Sequence, residues 1–183
     1  MDTRLSSSVR IILFVALLAL GICSRFIPHP PDATAVTAII FAGALYLGPR
    51  LSIMLMLSTL LLSDAFIGGY ELPVMLSVYG SYLLIGVVGI FFARSKGFGS
   101  RTLMLASASI LFFLVTNAAV WLFTPWYAKD ITGLMSSYAL GLPFLKNMLI
   151  GDFLYTPVLL TALAFVLRSS RDRAPSAYAY QYR

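Results

Sequence analysis

Long, nearly uninterrupted runs of apolar residues dominate this chain and restrict the folds that are open to it. Several of them approach the roughly 20 residues that a helix needs to cross a hydrocarbon core about 30 Å thick. Of the 183 residues, 60% are hydrophobic and only 11% are charged, whereas a soluble domain is nearer about one quarter charged. The sequence therefore predicts an all-α, polytopic membrane protein.

Six transmembrane helices are predicted from these runs, within a single membrane domain that covers residues 1–183. The expected spans are 9–27, 33–48, 51–67, 74–93, 103–123 and 146–167. They are followed by a basic tail over residues 168–183. The chain shows no internal repeat and no phosphate-binding loop of the Gly-rich type. Any work driven by ATP therefore falls to a partner protein.

Basic residues are distributed unequally between the two sides that six spans define. The side that holds both termini carries ten of the thirteen, namely Arg4, Arg10, Arg50, Arg94, Lys96, Arg101, Arg168, Arg171, Arg173 and Arg183. The other side carries only Arg25, Lys129 and Lys146. This positive-inside bias predicts that both termini are cytoplasmic. This topology explains the position of most basic residues, and contact with anionic lipid explains those of the tail. The net positive charge therefore does not indicate a nucleic-acid partner, and none is expected.

Five polar residues from five spans are predicted to lie at one depth, in the outer third of the bilayer. Counted at 1.5 Å per residue, Arg25, Asp64 and Asn117 lie about 24, 20 and 21 Å above the inner ends of their spans. Tyr79 and Asp152 lie about 8–9 Å below the outer ends. Ionisable groups at such depth are costly unless they find partners or face the interior. For Arg25 and Asp64, an ion pair and direct ligand contact are both open; for Asp152, ligand contact is expected.

A proline-rich connection between the first two spans holds the only histidine of the chain. Its three prolines cannot continue a helix and favour an extended path: Pro28, Pro30 and Pro31. The expected result is a stiff hairpin at the outer face with His29 at its tip. Either Asp32 or Thr34 is expected to cap the helix that follows. For His29, a solvated loop position and contact with a ligand both remain open.

Two further features belong to the outer half of the chain. Trp121 lies four residues after Asn117, so the two share one helix face, where helix packing and ligand contact are equally open explanations. The connection 124–145 is expected to contain a short helix over residues 131–142 that covers a cavity as a lid.

The second span is rich in small residues, and Ala38 and Ala42 stand four positions apart. Small residues with this spacing allow two helices to approach closely. Packing inside the bundle is one explanation of the pair. The other is docking of a partner helix, such as one from an energising ATPase and transmembrane module.

Motifs spread over nearly the whole chain resemble an uncharacterised family of small bacterial inner-membrane proteins. These motifs are Arg25-x-x-Pro28-His29-Pro30-Pro31, Ser63-Asp64, Val78-Tyr79-Gly80, Val115-Thr116-Asn117-x-x-x-Trp121, Pro143-Phe144 and Gly151-Asp152. In size, six spans and cytoplasmic termini, that family is similar to the substrate-binding S components of energy-coupling factor (ECF) vitamin transporters. The resemblance implies a location in the bacterial inner membrane and a vitamin site near the outer face. The Ala-x-x-x-Ala pattern that S components often carry in the first helix stands here in the second span.

The predicted function is binding of a small water-soluble nutrient for uptake, with a vitamin as the expected ligand and a cobalamin-type corrinoid as one candidate. The expected substrate contacts are Arg25, His29, Asp64, Tyr79, Asn117, Trp121 and Asp152. Two alternatives stay open: a non-catalytic assembly subunit, and an intramembrane enzyme that uses His29 with Asp64 or Asp152 as acid and base. One histidine, one cysteine and no zinc-binding motif argue against an enzyme and against a metal site of the protein's own. No cofactor is expected.

Overall fold

Six helices make up the computed structural model, which describes residues 5–69 and 71–172, with the backbone alone for 169–172. They are α1 (Ser7–Phe26), α2 (Val36–Tyr46), α3 (Pro49–Ile67), α4 (Leu72–Arg94), α5 (Phe98–Phe123) and α6 (Ile131–Asp172). Five of them are long and apolar enough to cross a membrane, and α2 is shorter. The predictions of an all-α fold with six helices and of a multi-pass membrane protein are therefore confirmed.

The helix α2 has only 11 residues and is about 16 Å long, roughly half the thickness of a hydrocarbon core. It begins three residues later than the span predicted at 33–48. Its far end lies beside the start of α1, because the Arg10 guanidinium donates a hydrogen bond to the Leu47 carbonyl at 3.0 Å. The chain thus returns across the bundle between residues 27 and 47, and the non-helical segment 27–35 covers part of that distance.

Part of the backbone of this non-helical segment needs no partner outside the bundle. Its three prolines carry no amide hydrogen, so they leave no donor without a partner. The Ala33 amide donates to the Pro30 carbonyl at 3.0 Å, and the Ala35 amide donates to the Ser24 hydroxyl of α1 at 3.2 Å. Irregular backbone is tolerated at membrane depth only where protein encloses it or where it lines a cavity.

The prediction that Asp32 or Thr34 caps α2 is wrong. The residue before the helix is Ala35, and no side chain caps the helix start. The amide of Ala35 is satisfied from α1 instead, because Ser24 lies next to it. The contact with α1 takes the place of the local cap that the sequence suggested, so neither Asp32 nor Thr34 caps the helix.

The short helix α2 is also the centre of the core, since all of its residues from 36 to 44 are buried. Ala38 and Ala42 are 1% and 0% exposed, so neighbouring helices of the same chain already cover this pair. Gly43 packs against α3 so closely that an added Cβ would come within 3.2 Å of the Ser52 backbone. The small residues of α2 therefore serve packing inside the bundle, and the partner helix considered for Ala38 and Ala42 would need another surface.

The last helix, α6, is 42 residues long, or about 63 Å. Pro143 and Pro157 lie inside it and do not end it. The short helix expected over 131–142 is thus the first part of α6, and the idea of a separate lid is wrong. This part packs along α5, where the Ser137 hydroxyl donates to the Asn117 carbonyl at 2.9 Å and the Tyr138 hydroxyl donates to the Leu114 carbonyl at 3.0 Å. Of the predicted basic tail, residues 168–172 continue α6, and 173–183 lie outside the described residues.

Candidate functional site

A buried ion pair connects α1 with α3 near one end of the bundle, which is here called the proline-rich end because it holds the connections 27–35 and 124–130. Arg25 Nη2 lies 2.7 Å from Asp64 Oδ1, and Arg25 Nη1 donates to the Ser63 hydroxyl at 2.5 Å. The Tyr79 hydroxyl of α4 donates to Asp64 Oδ2 at 2.8 Å. The ion pair, one of the two possibilities left open for Arg25 and Asp64, is therefore confirmed.

A cavity of about 580 Å³ lies at the same end of the bundle. Its volume falls within the range of about 300–1,000 Å³ that is common for small-molecule sites. The polar side chains on its wall are Arg25, Asp32, Thr34, Thr116 and Asn117. The aromatic side chains on its wall are Tyr82, Phe112, Trp126, Tyr127 and Phe144. An apolar and aromatic wall with a few polar groups is the usual composition of a ligand pocket.

Arg25 and Asn117 are the two predicted site residues that line this cavity. The Asn117 side-chain amide donates to the Phe113 carbonyl one turn earlier in α5, at 2.9 Å. Across from it, α6 presents Gly141, where an added Cβ would come within 2.4 Å of Asn117 Oδ1. The absence of a side chain at Gly141 therefore lets α6 approach the part of α5 that carries Asn117.

Asp64 and Tyr79 hold Arg25 in place and do not themselves line the cavity. The Asp64 side chain is only 8% exposed and that of Arg25 is 17% exposed. The Arg25 guanidinium, which reaches the cavity wall, is therefore neutralised by the Asp64 carboxylate. The Tyr79 hydroxyl holds that carboxylate in place. In the structure, Asp64 contacts Arg25, Tyr79 contacts Asp64, and neither of these two residues lines the cavity.

Asp152 lies in the interior of the bundle, away from the cavity wall. It is 2% exposed, and its Oδ2 accepts a hydrogen bond from the Ser109 hydroxyl of α5 at 2.7 Å. The Thr37 side chain of α2 lies within hydrogen-bonding reach. Within the described residues no cation pairs with Asp152. The carboxyl group joins α2, α5 and α6 through hydroxyl groups.

His29 and Trp121 also lie away from the cavity. His29 is partly exposed, with Nδ1 2.8 Å from the Pro30 carbonyl, and it lines a separate groove of about 300 Å³ between α1 and α6. The Trp121 indole donates to the Ala128 carbonyl at 2.9 Å, and the Lys129 ammonium donates to the Trp121 carbonyl. Trp121 therefore holds the connection 124–130 in place. The tryptophan that reaches the cavity wall is Trp126, which belongs to that connection.

Asp32 is the charged cavity residue that was assigned a different role from the sequence. Its backbone has φ 64°, and the residue is exposed and lines the cavity. The pKa of the Asp32 carboxyl is raised above its usual value, because the surrounding protein removes water that would stabilise the charge; His29 opposes this effect and does not cancel it. The sequence contained a signal for the place of Asp32: an aspartate directly after two prolines cannot belong to the preceding helix, so it lies in the connection at this end of the bundle.

Tyr82 is a second cavity residue that was not predicted. It lies three positions after Tyr79 on α4, so the two tyrosines are neighbours on one helix face. The Tyr82 hydroxyl lies within hydrogen-bonding reach of Thr34 in the non-helical segment. This contact links α4 to the segment 27–35 at the cavity wall.

Breaking the Arg25–Asp64 pair from one side should destabilise the protein more than removing both charges. Arg25→Met or Asp64→Leu alone leaves a buried charge without its partner, and a loss of about 3–5 kcal/mol is expected for either. The double variant should recover much of that loss. A double-mutant cycle of unfolding in detergent measures the coupling. Additive losses from the two single variants would contradict the pair.

The chain belongs to the DUF6580 family, a family of unknown function, whose model matches residues 5–176. No curated protein and no solved structure matches the chain. The match spans nearly the whole length, in agreement with the resemblance to an uncharacterised family that the sequence suggested. It does not extend to any vitamin transporter, so the likeness to S components remains a proposal.

Proposed function

We propose that this member of the DUF6580 family is a substrate-binding membrane subunit for the uptake of a small water-soluble nutrient. The observation that carries the proposal is the cavity of about 580 Å³ at the proline-rich end, which combines aromatic side chains with a few polar ones. Polar side chains and irregular backbone are costly at membrane depth. A ligand that satisfies them explains their presence, whereas an assembly subunit has no need of the cavity.

A vitamin is the ligand class that we propose, because the chain resembles the S components of ECF transporters in its size and its number of helices. Arg25, Thr116 and Asn117 offer donors and acceptors to its polar groups, and the aromatic wall offers apolar contact. A cavity of this volume suits a ligand of one or two rings better than a cobalamin-type corrinoid, which carries a whole macrocycle. His29, the predicted contact whose imidazole could ligate the metal of a corrinoid, lines a different groove.

Binding explains the arrangement of the ionisable groups better than catalysis does. An acid–base pair needs its two groups within hydrogen-bond reach of each other or of one shared substrate. In the described part of the chain, no hydrogen bond joins His29 to Asp64 or Asp152. Asp64 is engaged by Arg25 and Tyr79, and Asp152 is engaged by Ser109.

We propose the bacterial inner membrane as the location, with both termini in the cytoplasm and the proline-rich end facing outward. The ten-to-three distribution of basic residues supports this orientation. The ligand would then enter from outside. An energising module, if one takes part as it does for S components, would contact the chain through a surface other than Ala38 and Ala42, since both are buried.

Single cysteines test this orientation in a Cys23→Ser background. Glu71→Cys places a thiol at the proline-rich end of α4, and Gly97→Cys places one in the connection between α4 and α5 at the opposite end. In whole cells, an impermeant thiol reagent should label residue 71 and spare residue 97 until the membrane is opened. Labelling of residue 97 in intact cells would overturn the orientation.

Ligand binding should stabilise the purified protein against heat. A ligand at 100 times its dissociation constant adds about 2.7 kcal/mol to the free energy of unfolding. A thermal-shift screen in detergent against B vitamins, corrinoids and their precursors should find at least one compound that raises Tm. Asn117→Ala should abolish that shift because it removes a polar group from the cavity wall.

Asn147→Ala is the matched control, since it makes the same substitution on α6 at a residue that does not line the cavity. It should leave the shift unchanged, and both variants should remain folded by size-exclusion chromatography. A screen in which no compound raises Tm would count against the proposed function. So would a shift that survives Asn117→Ala.

A further inference from the structure

The two charged side chains on the cavity wall are not equivalent. Among the described residues these are Arg25 and Asp32. Arg25 is already paired with Asp64 at 2.7 Å and hydrogen-bonded to Ser63. Asp32 has no ion-pair partner within the described part of the chain. The cavity is therefore left with one negative charge that the protein does not neutralise by a direct pair.

The backbone at Asp32 adopts a conformation that side-chain-bearing residues rarely take. Its φ of 64° is the only positive value at a non-glycine residue in the described ranges. Such a conformation is costly, although aspartate and asparagine tolerate it better than most residues. It follows two prolines that fix the path of the chain, and it belongs to the segment that lines the cavity. Strain of this kind concentrates at ligand-binding positions.

Aromatic rings surround the same space. Trp126 and Tyr127 reach it from the connection 124–130, Tyr82 from α4, Phe112 from α5 and Phe144 from α6. The face of an aromatic ring attracts a positive charge. An unpaired carboxylate together with several aromatic rings is a combination that suits a cation.

We propose that the ligand of this cavity is an organic cation, with its positive group held by Asp32 and by the aromatic rings of the wall. The inference rests on the proposed function and assigns a charge to the same ligand. Thr34, Thr116 and Asn117 also line the cavity, and their side-chain oxygens can accept hydrogen bonds from uncharged polar groups of the molecule. An anionic ligand would face the unpaired Asp32 carboxylate, and the Arg25 charge that could offset this repulsion is already paired with Asp64.

Matched ligands of different charge test the proposal on the full-length protein in detergent, by titration calorimetry. One set is 1-methylnicotinamide (cationic), nicotinamide (neutral) and nicotinate (anionic), which share one ring. A second set is choline and its neutral analogue 3,3-dimethylbutan-1-ol. Within a set whose members bind, the cation should bind more tightly. Asp32→Asn should weaken binding of the cation by about tenfold to a hundredfold and leave the neutral member nearly unchanged.

Asparagine is the suitable replacement at Asp32 because it removes the charge and still tolerates a positive φ. Glu71→Gln is the matched control, since Glu71 is another acid at the proline-rich end that does not line the cavity. It should leave the preference for the cation intact. A preference that persists in Asp32→Asn, or that is lost equally in Glu71→Gln, would overturn the role of Asp32.

The same experiment separates this inference from the proposed function. If neutral or anionic compounds bind in an Asn117-dependent manner and the matched cations bind no better, the cation inference is wrong and the binding function stands. If no compound of any charge binds in the titrations and none raises Tm in the vitamin screen, the cation inference and the proposed function both fail.

Discussion

Residues 27–47 return across the bundle with a helix of only 11 residues. The site depends on the fact that this helix is too short to cover the whole distance. The remaining distance is covered by a non-helical segment whose prolines lack amide donors and whose Ala33 and Ala35 amides are satisfied. A continuous helix in this place would fill the space next to α4 and α5. The irregular segment instead leaves a cavity and provides Asp32 and Thr34 for its wall. Irregular backbone that lines a cavity at membrane depth is a recurrent feature of transporter binding sites.

Three carboxyl groups near this segment differ in the partners that the protein provides for them. Asp64 is neutralised by Arg25 and held by Tyr79. Asp152 is 2% exposed and bonded to the Ser109 hydroxyl, and it connects helices in the interior. Only Asp32 faces the cavity without a direct ion pair in the described residues. The electrostatic character of the cavity thus follows from which acid the protein has left unpaired.

Counting helical rise along the sequence correctly brought Arg25 and Asp64 to one level, and Tyr79 joins them there. Depth alone does not specify the direction in which a side chain points from its helix. Asp152 and Trp121 were therefore expected at the cavity and lie elsewhere. The left-handed backbone at Asp32 and the passage of α6 through Pro143 depend on tertiary contacts that no local pattern in the sequence encodes. The spacing of Ala38 and Ala42 is likewise compatible with packing inside the bundle and with docking of a partner helix. Only their burial in the structure decides between the two.

The central claim is that the cavity holds a small molecule, and mass spectrometry of the gently purified protein tests it most directly. Extracts of the native chain should contain a small molecule in an amount close to one per chain. Thr116→Trp, which fills the cavity from its α5 wall, should purify as a folded protein without that molecule. Absence of any retained molecule from the native chain, or equal retention by the filled variant, would contradict the account.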